Sequence, residues 1–216
     1  MKKIFLLLTV MAALASCSDD ALVPSGRTVT EDRALETFAK INIHAGKTIR
    51  VEYGNDYGIS VNGSDNLVRN LESRVSNGQL HLDYKADEIS HEDLEITVTL
   101  PYFTTLKMHG KRMLTTHGTF DYTDEITINC YGENNMKSVD AFEAGHVNVT
   151  LTGSGVADFR TLSSETAEAE ITGSGKIYVN PSQSLDAEIE GSGTIYYIGE
   201  PEVTSEIRGS GSVTKL

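Results

Sequence analysis

Apolar and polar residues alternate along most of the chain, the period of strands with one buried face. The alternation runs through Ile41 and Ile43, then Ile49, Val51 and Tyr53, then Ile59 and Val61. It resumes at Leu80, Leu82 and Tyr84, and again at Leu94, Ile96, Val98 and Leu100. Asn77-Gly78 lies between two such stretches and predicts a tight hairpin. Asn66 to Arg74 reads as holding a helical turn. Residues 34–103 therefore predict short strands that form wide first coils or a cap.

From residue 104 the alternation is punctuated by glycine. Gly-Ser-Gly stands at 153–155, 173–175, 191–193 and 209–211, each time after the same kind of strand. Val149-Thr150-Leu151-Thr152, Ala169-Glu170-Ile171-Thr172, Ala187-Glu188-Ile189-Glu190 and Ser205-Glu206-Ile207-Arg208 precede the four copies. Two degenerate copies lie upstream, ending at Gly110 and Gly132. Aligned on the last glycine of each copy (110, 132, 155, 175, 193 and 211), the spacings are 22, 23, 20, 18 and 18 residues. A period near 20 with a glycine corner is the mark of a solenoid.

This alignment puts Leu106, Ile128, Leu151, Ile171, Ile189 and Ile207 in one inward column, with His109 and Tyr131 in the serine place. A second strand follows each corner, at Ala157 and Phe159, Ile177 and Val179, Ile195 and Tyr197, and Val213. The expected fold is all-β: a parallel β-helix, or solenoid, with Gly-Ser-Gly corners over residues 104–216. Glycine is suited to such a corner because it adopts positive φ without strain. The crossover rule favours right-handed coiling, and stacked serines are expected to hydrogen-bond along the corner.

The run from Leu185 to Tyr197, the following Gly199-Glu200-Pro201, and Ile207 to Val213 carry a family resemblance. So does the opening Phe38 to Ile43 with Val75, Asn77-Gly78 and Leu80. Over residues 36–214 the chain resembles the bacterial family called putative auto-transporter adhesin, head GIN domain. The resemblance implies a β-helical fold, frequent lipoprotein anchoring and an adhesion role, and it brings no catalytic residues. The chain departs from the pattern at Met108 to Lys111 and Cys130 to Glu133, where the corner is not Gly-Ser-Gly.

The N-terminus breaks the alternation. Lys2 and Lys3 precede an unbroken apolar run, Ile4 to Leu14, too short for a stable membrane span. Leu14-Ala15-Ser16-Cys17 follows and resembles the lipobox of bacterial lipoproteins. Residues 1–16 are read as a signal peptide, and Cys17 as the lipidated N-terminus that makes the membrane a partner. Ser18-Asp19-Asp20 resembles a surface-export signal, so the expected location is an outer-membrane lipoprotein at the cell surface, with the periplasmic face as alternative. Residues 17–33 read as a flexible tether, and 34–216 as one domain.

Composition narrows the partners. The 216 residues carry 31 acidic and 18 basic side chains, for a net charge of −13. Loss of residues 1–16, with their two lysines, takes it to −15. Nucleic acid is excluded as a partner, since phosphates need clustered Lys and Arg. Tryptophan is absent, which rules out a Trp-lined sugar platform. If Cys17 carries lipid, Cys130 has no disulfide partner.

The six histidines fall in no metal-ligand spacing, and no cofactor motif has its required context. The repeat does align carboxylates: Glu170, Glu188 and Glu206 in one outward column, Glu168 and Asp186 beside them. Like charges stacked about 5 Å apart repel. Solvent and salt, a Glu190–Arg208 pair, bound calcium or a cationic partner would each relieve that repulsion. These five acidic residues are the candidate contact or cation face. The expected function is non-enzymatic binding of a protein or glycan at the envelope, without cofactor. The alternatives are a carbohydrate-active enzyme on a β-helix, which would need a walled carboxylate pair, or a structural envelope protein.

Overall fold

A computed structural model describes residues 21–86 and 88–216. Residues 1–16, read above as a signal peptide, and Cys17 with Ser18-Asp19-Asp20 lie outside the described residues. The alternating residues form strands that stack coil upon coil into a β-solenoid. The first part comprises β1 (Thr28–Ala34), β2 (Lys40–Ile43), β3 (Thr48–Tyr53), β4 (Gly58–Ser64), α1 (Asp65–Asn70), β5 (Leu71–Ser76), β6 (Gln79–Tyr84) and β7 (Glu95–Leu100). The glycine-cornered coils follow as β8 (Thr105–Gly110), β9 (Met113–His117), β10 (Thr123–Gly132), β11 (Asn135–Ser138) and β12 (Phe142–Gly153). The last coils are β13 (Val156–Gly173), β14 (Lys176–Gly191), β15 (Thr194–Tyr197), β16 (Glu202–Gly209) and β17 (Ser212–Lys215).

The strands form two ladders. One runs β5–β6–β2–β8–β10–β12–β13–β14–β16, parallel except for the antiparallel hairpin β5–β6. The other runs β1–β4–β7–β3–β9–β11–β13–β14–β15–β17, with β1 and β4 antiparallel at its start. β13 and β14 belong to both, because the chain bends without leaving the extended state; irregular register between Asp158 and Thr166 marks the bend in β13. Inward residues form the core: Leu106, Ile128, Val149, Ala169 and Ala187 in one column, Met108, Cys130, Leu151, Ile171 and Ile189 in the next. Each fully buried Leu or Ile of these columns contributes about 1.5–3 kcal/mol. Phe103, Phe120 and Phe142 fill the loop edge, with ring centroids 5.0–5.8 Å apart.

The register corrects the alignment of the degenerate copies by two residues. Gly110 and Gly132 stack under Gly153, the first glycine of the corner. The column of Ile171 and Ile189 therefore continues upstream through Leu151 to Cys130 and Met108, and Leu106 and Ile128 belong with Val149. Lys111 and Glu133 take the serine place and pair at 3.0 Å. Arg112 and Asn134 stand where the second glycine stands later. Asn134 is fully buried there; its Nδ2 donates to Met108 O and Tyr131 O, and its Oδ1 accepts from Arg112 N. In the later coils that space is filled by the Leu or Ile below, so the position must be glycine: a Cβ on Gly193 would sit 2.6 Å from Ile171 Cγ2. The corners are joined by serine backbone, each N–H donating to the first glycine of the coil before, as in Ser174 N to Gly153 O at 2.9 Å.

The first part departs further from expectation. The segment read as tether is structured where it reaches Thr28–Ala34, which forms β1 against β4. Arg33 replaces an apolar anchor there: its guanidinium donates to Leu71 O, Val68 O and Ser73 Oγ at 2.9–3.0 Å. The helical turn ends at Asn70, four residues before Arg74, and β5 begins at Leu71. Leu67 and Val68 of α1 are buried and close that end of the core.

Candidate functional site

The outward residues of the first ladder form straight columns on a flat face. One column passes through Asn42, Lys107, Asn129, Thr150, Glu170, Glu188 and Glu206. Beside it run Lys40, Thr105, Thr127, Asn148, Glu168, Asp186 and Thr204. The predicted acidic residues are thus brought together in register on the last three coils. The same two columns carry Lys40 and Lys107 toward the cap, so they run from basic to acidic along the axis.

The repulsion within the acidic columns is relieved locally, though not by the pair expected from the sequence. Arg208 bridges Glu188 at 3.0 Å and Glu206 at 2.5 Å, leaving Glu190 aside. A guanidinium reaches across two coils, while Glu190 lies directly below it with its carboxylate directed outward. Asn148 Nδ2 donates to Glu168 at 3.1 Å. Glu170, at the end of the acidic column next to Thr150, is exposed. Among the described residues no three His, Cys, Asp or Glu side chains converge to hold a metal ion.

A third outward column, of His109, Tyr131, Thr152, Thr172, Glu190 and Arg208, begins with an aromatic stack. His44 stacks on His109 with centroids 4.0 Å apart, and His109 on Tyr131 at 4.8 Å. Burial, with His44, Arg112 and Lys107 nearby, holds His109 below the usual histidine range. Beneath this stack Arg112 pairs with Glu92 at 3.4 Å, and Tyr84 donates its hydroxyl to Glu92. Burial and that carboxylate push the Tyr84 phenol up. On the second ladder Tyr178 and Tyr196 stack at 4.6 Å, and Arg160 lies 4.4 Å over Tyr178 while bonding Asp158 at 2.7 Å. The sequence places His109 and Tyr131 in one column, but with the corner serines; superposing the first glycines continues that column through Thr152 instead.

The loop edge offers open concavities. One of these, about 540 Å³, is lined by Lys40, Thr105, Tyr122, Asp124, Glu125 and Thr127. Tyr122, exposed at 58%, also borders a smaller groove floored by Phe120 and Phe142.

The family described as "Putative auto-transporter adhesin, head GIN domain" matches residues 37–201. No curated protein matches the sequence. Among solved structures the chain is similar to a putative adhesin from Bacteroides fragilis NCTC 9343, with a TM-score of 0.68, 21% identity, and 91% of this chain covering 100% of that one. A putative adhesin from Parabacteroides merdae ATCC 43184 gives a TM-score of 0.58 at 17% identity, covering 91% of this chain and 99% of that one. A putative lipid binding protein from Parabacteroides distasonis ATCC 8503 gives 0.53 at 21% identity, with the same two coverages. At such identities the likeness is one of fold.

Proposed function

The chain belongs to the head GIN domain family of putative auto-transporter adhesins, and on that premise we propose that it is a lipid-anchored cell-envelope protein that acts by binding rather than catalysis. Cys17 is the anchor, as the Leu14-Ala15-Ser16-Cys17 motif supports, and Ser18-Asp19-Asp20 supports display at the cell surface. The solenoid presents its side chains in fixed rows, so a partner meets a rigid array and little ordering entropy is lost on the protein's side. The observation that carries the reading is the in-register acidic patch of Glu170, Glu188 and Glu206 with Glu168 and Asp186. Its complement is a cationic surface on a protein or glycan, and such pairing sets on-rate and salt dependence more than raw affinity.

Calorimetric titration with a decalysine peptide, and separately with calcium chloride, tests this contact face. Decalysine heat that disappears in the chain carrying Glu170→Gln, Glu188→Gln and Glu206→Gln supports it. Unchanged heat in that variant assigns the patch to ordinary solvated surface. Saturable calcium binding lost in the same variant makes the patch a cation site instead.

A second reading has one observation in its favour, the open groove that holds Asp124 and Glu125 beside Tyr122. Product release from a polysaccharide panel, lost in Asp124→Asn, would make the protein a carbohydrate-active enzyme.

A further inference from the structure

The two ends of the solenoid are finished differently. At the cap end the core is covered by α1, and Arg33 takes the helix carbonyl of Val68 and the carbonyl of Leu71 at the start of β5. At the other end β16 and β17 have no strand on their outer side among the described residues. All eight residues of β16 are exposed. Val203 and Ile207 are 36% and 41% exposed, while Leu185 and Ile189, in the same columns one coil back, are 1% and 0%. Open edges are guarded by charged side chains, lysine above all, by inward-pointing charges, by proline or by a bulge. The sequence of β16, Glu-Val-Thr-Ser-Glu-Ile-Arg-Gly, carries its charges, Glu202, Glu206 and Arg208, on the outer face alone; it has no inward charge, neither lysine nor proline, and its pairing with β14 runs without a bulge.

The edge also has a defined hydrogen-bonding phase. Lys40 and Thr127, which share the column of Thr204, donate their N–H groups to the preceding coil. Strand alternation then leaves Val203, Ser205 and Ile207 offering N–H and C=O outward.

We propose that β16 is a self-pairing edge, joined antiparallel to β16 of a second copy of this chain about a two-fold axis at Ser205. In that register Ser205 faces Ser205, Val203 faces Ile207, Thr204 faces Glu206 and Glu202 faces Arg208 of the other copy. The three outward-bonding residues supply about six backbone hydrogen bonds across the axis. Val203 and Ile207 cover each other on the core side. Glu202 and Arg208 face each other twice by symmetry on the outer side, in the closer, non-hydrogen-bonded positions, where Arg208, which bridges Glu188 and Glu206 of its own chain, gains Glu202 of the other. The contact is isologous and closes at two copies. At the cap edge of the same ladder, β5, Arg33 already occupies the Leu71 carbonyl. The described chain enters beside α1, where Ser25 bonds Asn66, so the two points of entry lie at opposite poles of the dimer. It would thereby join chains anchored on facing surfaces, a consequence that rests on the envelope reading above, whereas the dimer itself does not.

Sedimentation equilibrium of the full chain in detergent, with cysteine variants on non-reducing gels, tests the proposal. A monomer–dimer equilibrium is expected. Glu202→Arg should weaken it about tenfold, by setting like charges opposite each other at two sites. The double variant Glu202→Arg with Arg208→Glu should restore it. Ser205→Cys should give a disulfide-linked dimer beyond any formed by the parent chain, since facing Cα atoms about 5.5 Å apart suit the bond. Thr204→Cys, facing Glu206, should not. A monomer at all concentrations overturns the proposal. So does a polymer series, and so does a dimer indifferent to Glu202→Arg and uncrosslinked by Ser205→Cys. None of these outcomes touches the acidic-patch reading, which the decalysine titration decides.

Discussion

Replacing Gly173 by alanine probes the corner on which the solenoid depends. Gly173 has φ +130°, a conformation open almost only to glycine, and the added Cβ would overlap the carbonyl oxygen of Gly153 in the coil below. That oxygen also accepts the Ser174 N–H at 2.9 Å, so relief by moving it loosens the link between two coils. Backbone strain of this kind costs about 1–3 kcal/mol, and forced overpacking about 1–3 more. The expected loss is about 4 kcal/mol, a fall in Tm of about 8–16 °C for a domain of this size. Gly78→Ala is the control: its φ is +70°, and nothing lies within 4 Å of the added Cβ. That change should cost only about 1–2 kcal/mol. Urea unfolding of both variants, followed by circular dichroism, measures the difference. If Gly173→Ala costs no more than Gly78→Ala, the corner is not held by the close approach of stacked glycines.

Cys130 is buried against Met136, and burial pushes its thiol up to about 12, so a thiol reagent at pH 8 should leave it unmodified until the chain unfolds. His109 is held below the usual histidine range by burial and by His44, Arg112 and Lys107. The unfolded chain then binds its proton first, so this group lowers stability as pH falls through about 6.5, and the loss levels off below the native value. His109→Gln should flatten the decline in urea midpoint between pH 7 and pH 5, and an unchanged slope would remove His109 as its source. Glu170→Gln relieves stacking against Glu188 and should raise stability by about 0.2–0.5 kcal/mol. The gain should vanish in 1 M salt, and a gain that persists there would not be electrostatic.

Glycine made the architecture legible. Four Gly-Ser-Gly copies in a strand context imply a stacked corner whatever the rest of the chain does. The same motif misplaced the upstream copies, because a copy with one glycine can be aligned to either of two. Only burial decides: Asn134 satisfies its own side chain inside the core, and so fills a place that elsewhere must be empty. β1 was hidden for a related reason. Its inward positions are Val29 and Arg33, and a guanidinium bonded to edge carbonyls leaves no apolar alternation to read. The acidic columns were legible because register among the 18-residue and 20-residue repeats is unambiguous. The choice of Arg208 between neighbours was not, since a long side chain reaches carboxylates on its own strand and the next with similar ease. The open edge at β16 needed the whole stack, because a last coil differs from an inner one only in what lies beyond it.

The central claim is display at the cell surface through Cys17. Intact cells expressing the chain are treated with a membrane-impermeant amine label, for which Lys111, exposed at 81%, is a ready target. Labelling of the protein on unbroken cells, together with its release from the envelope in Cys17→Ser, is the predicted result. Labelling only after the outer membrane is permeabilised would contradict it.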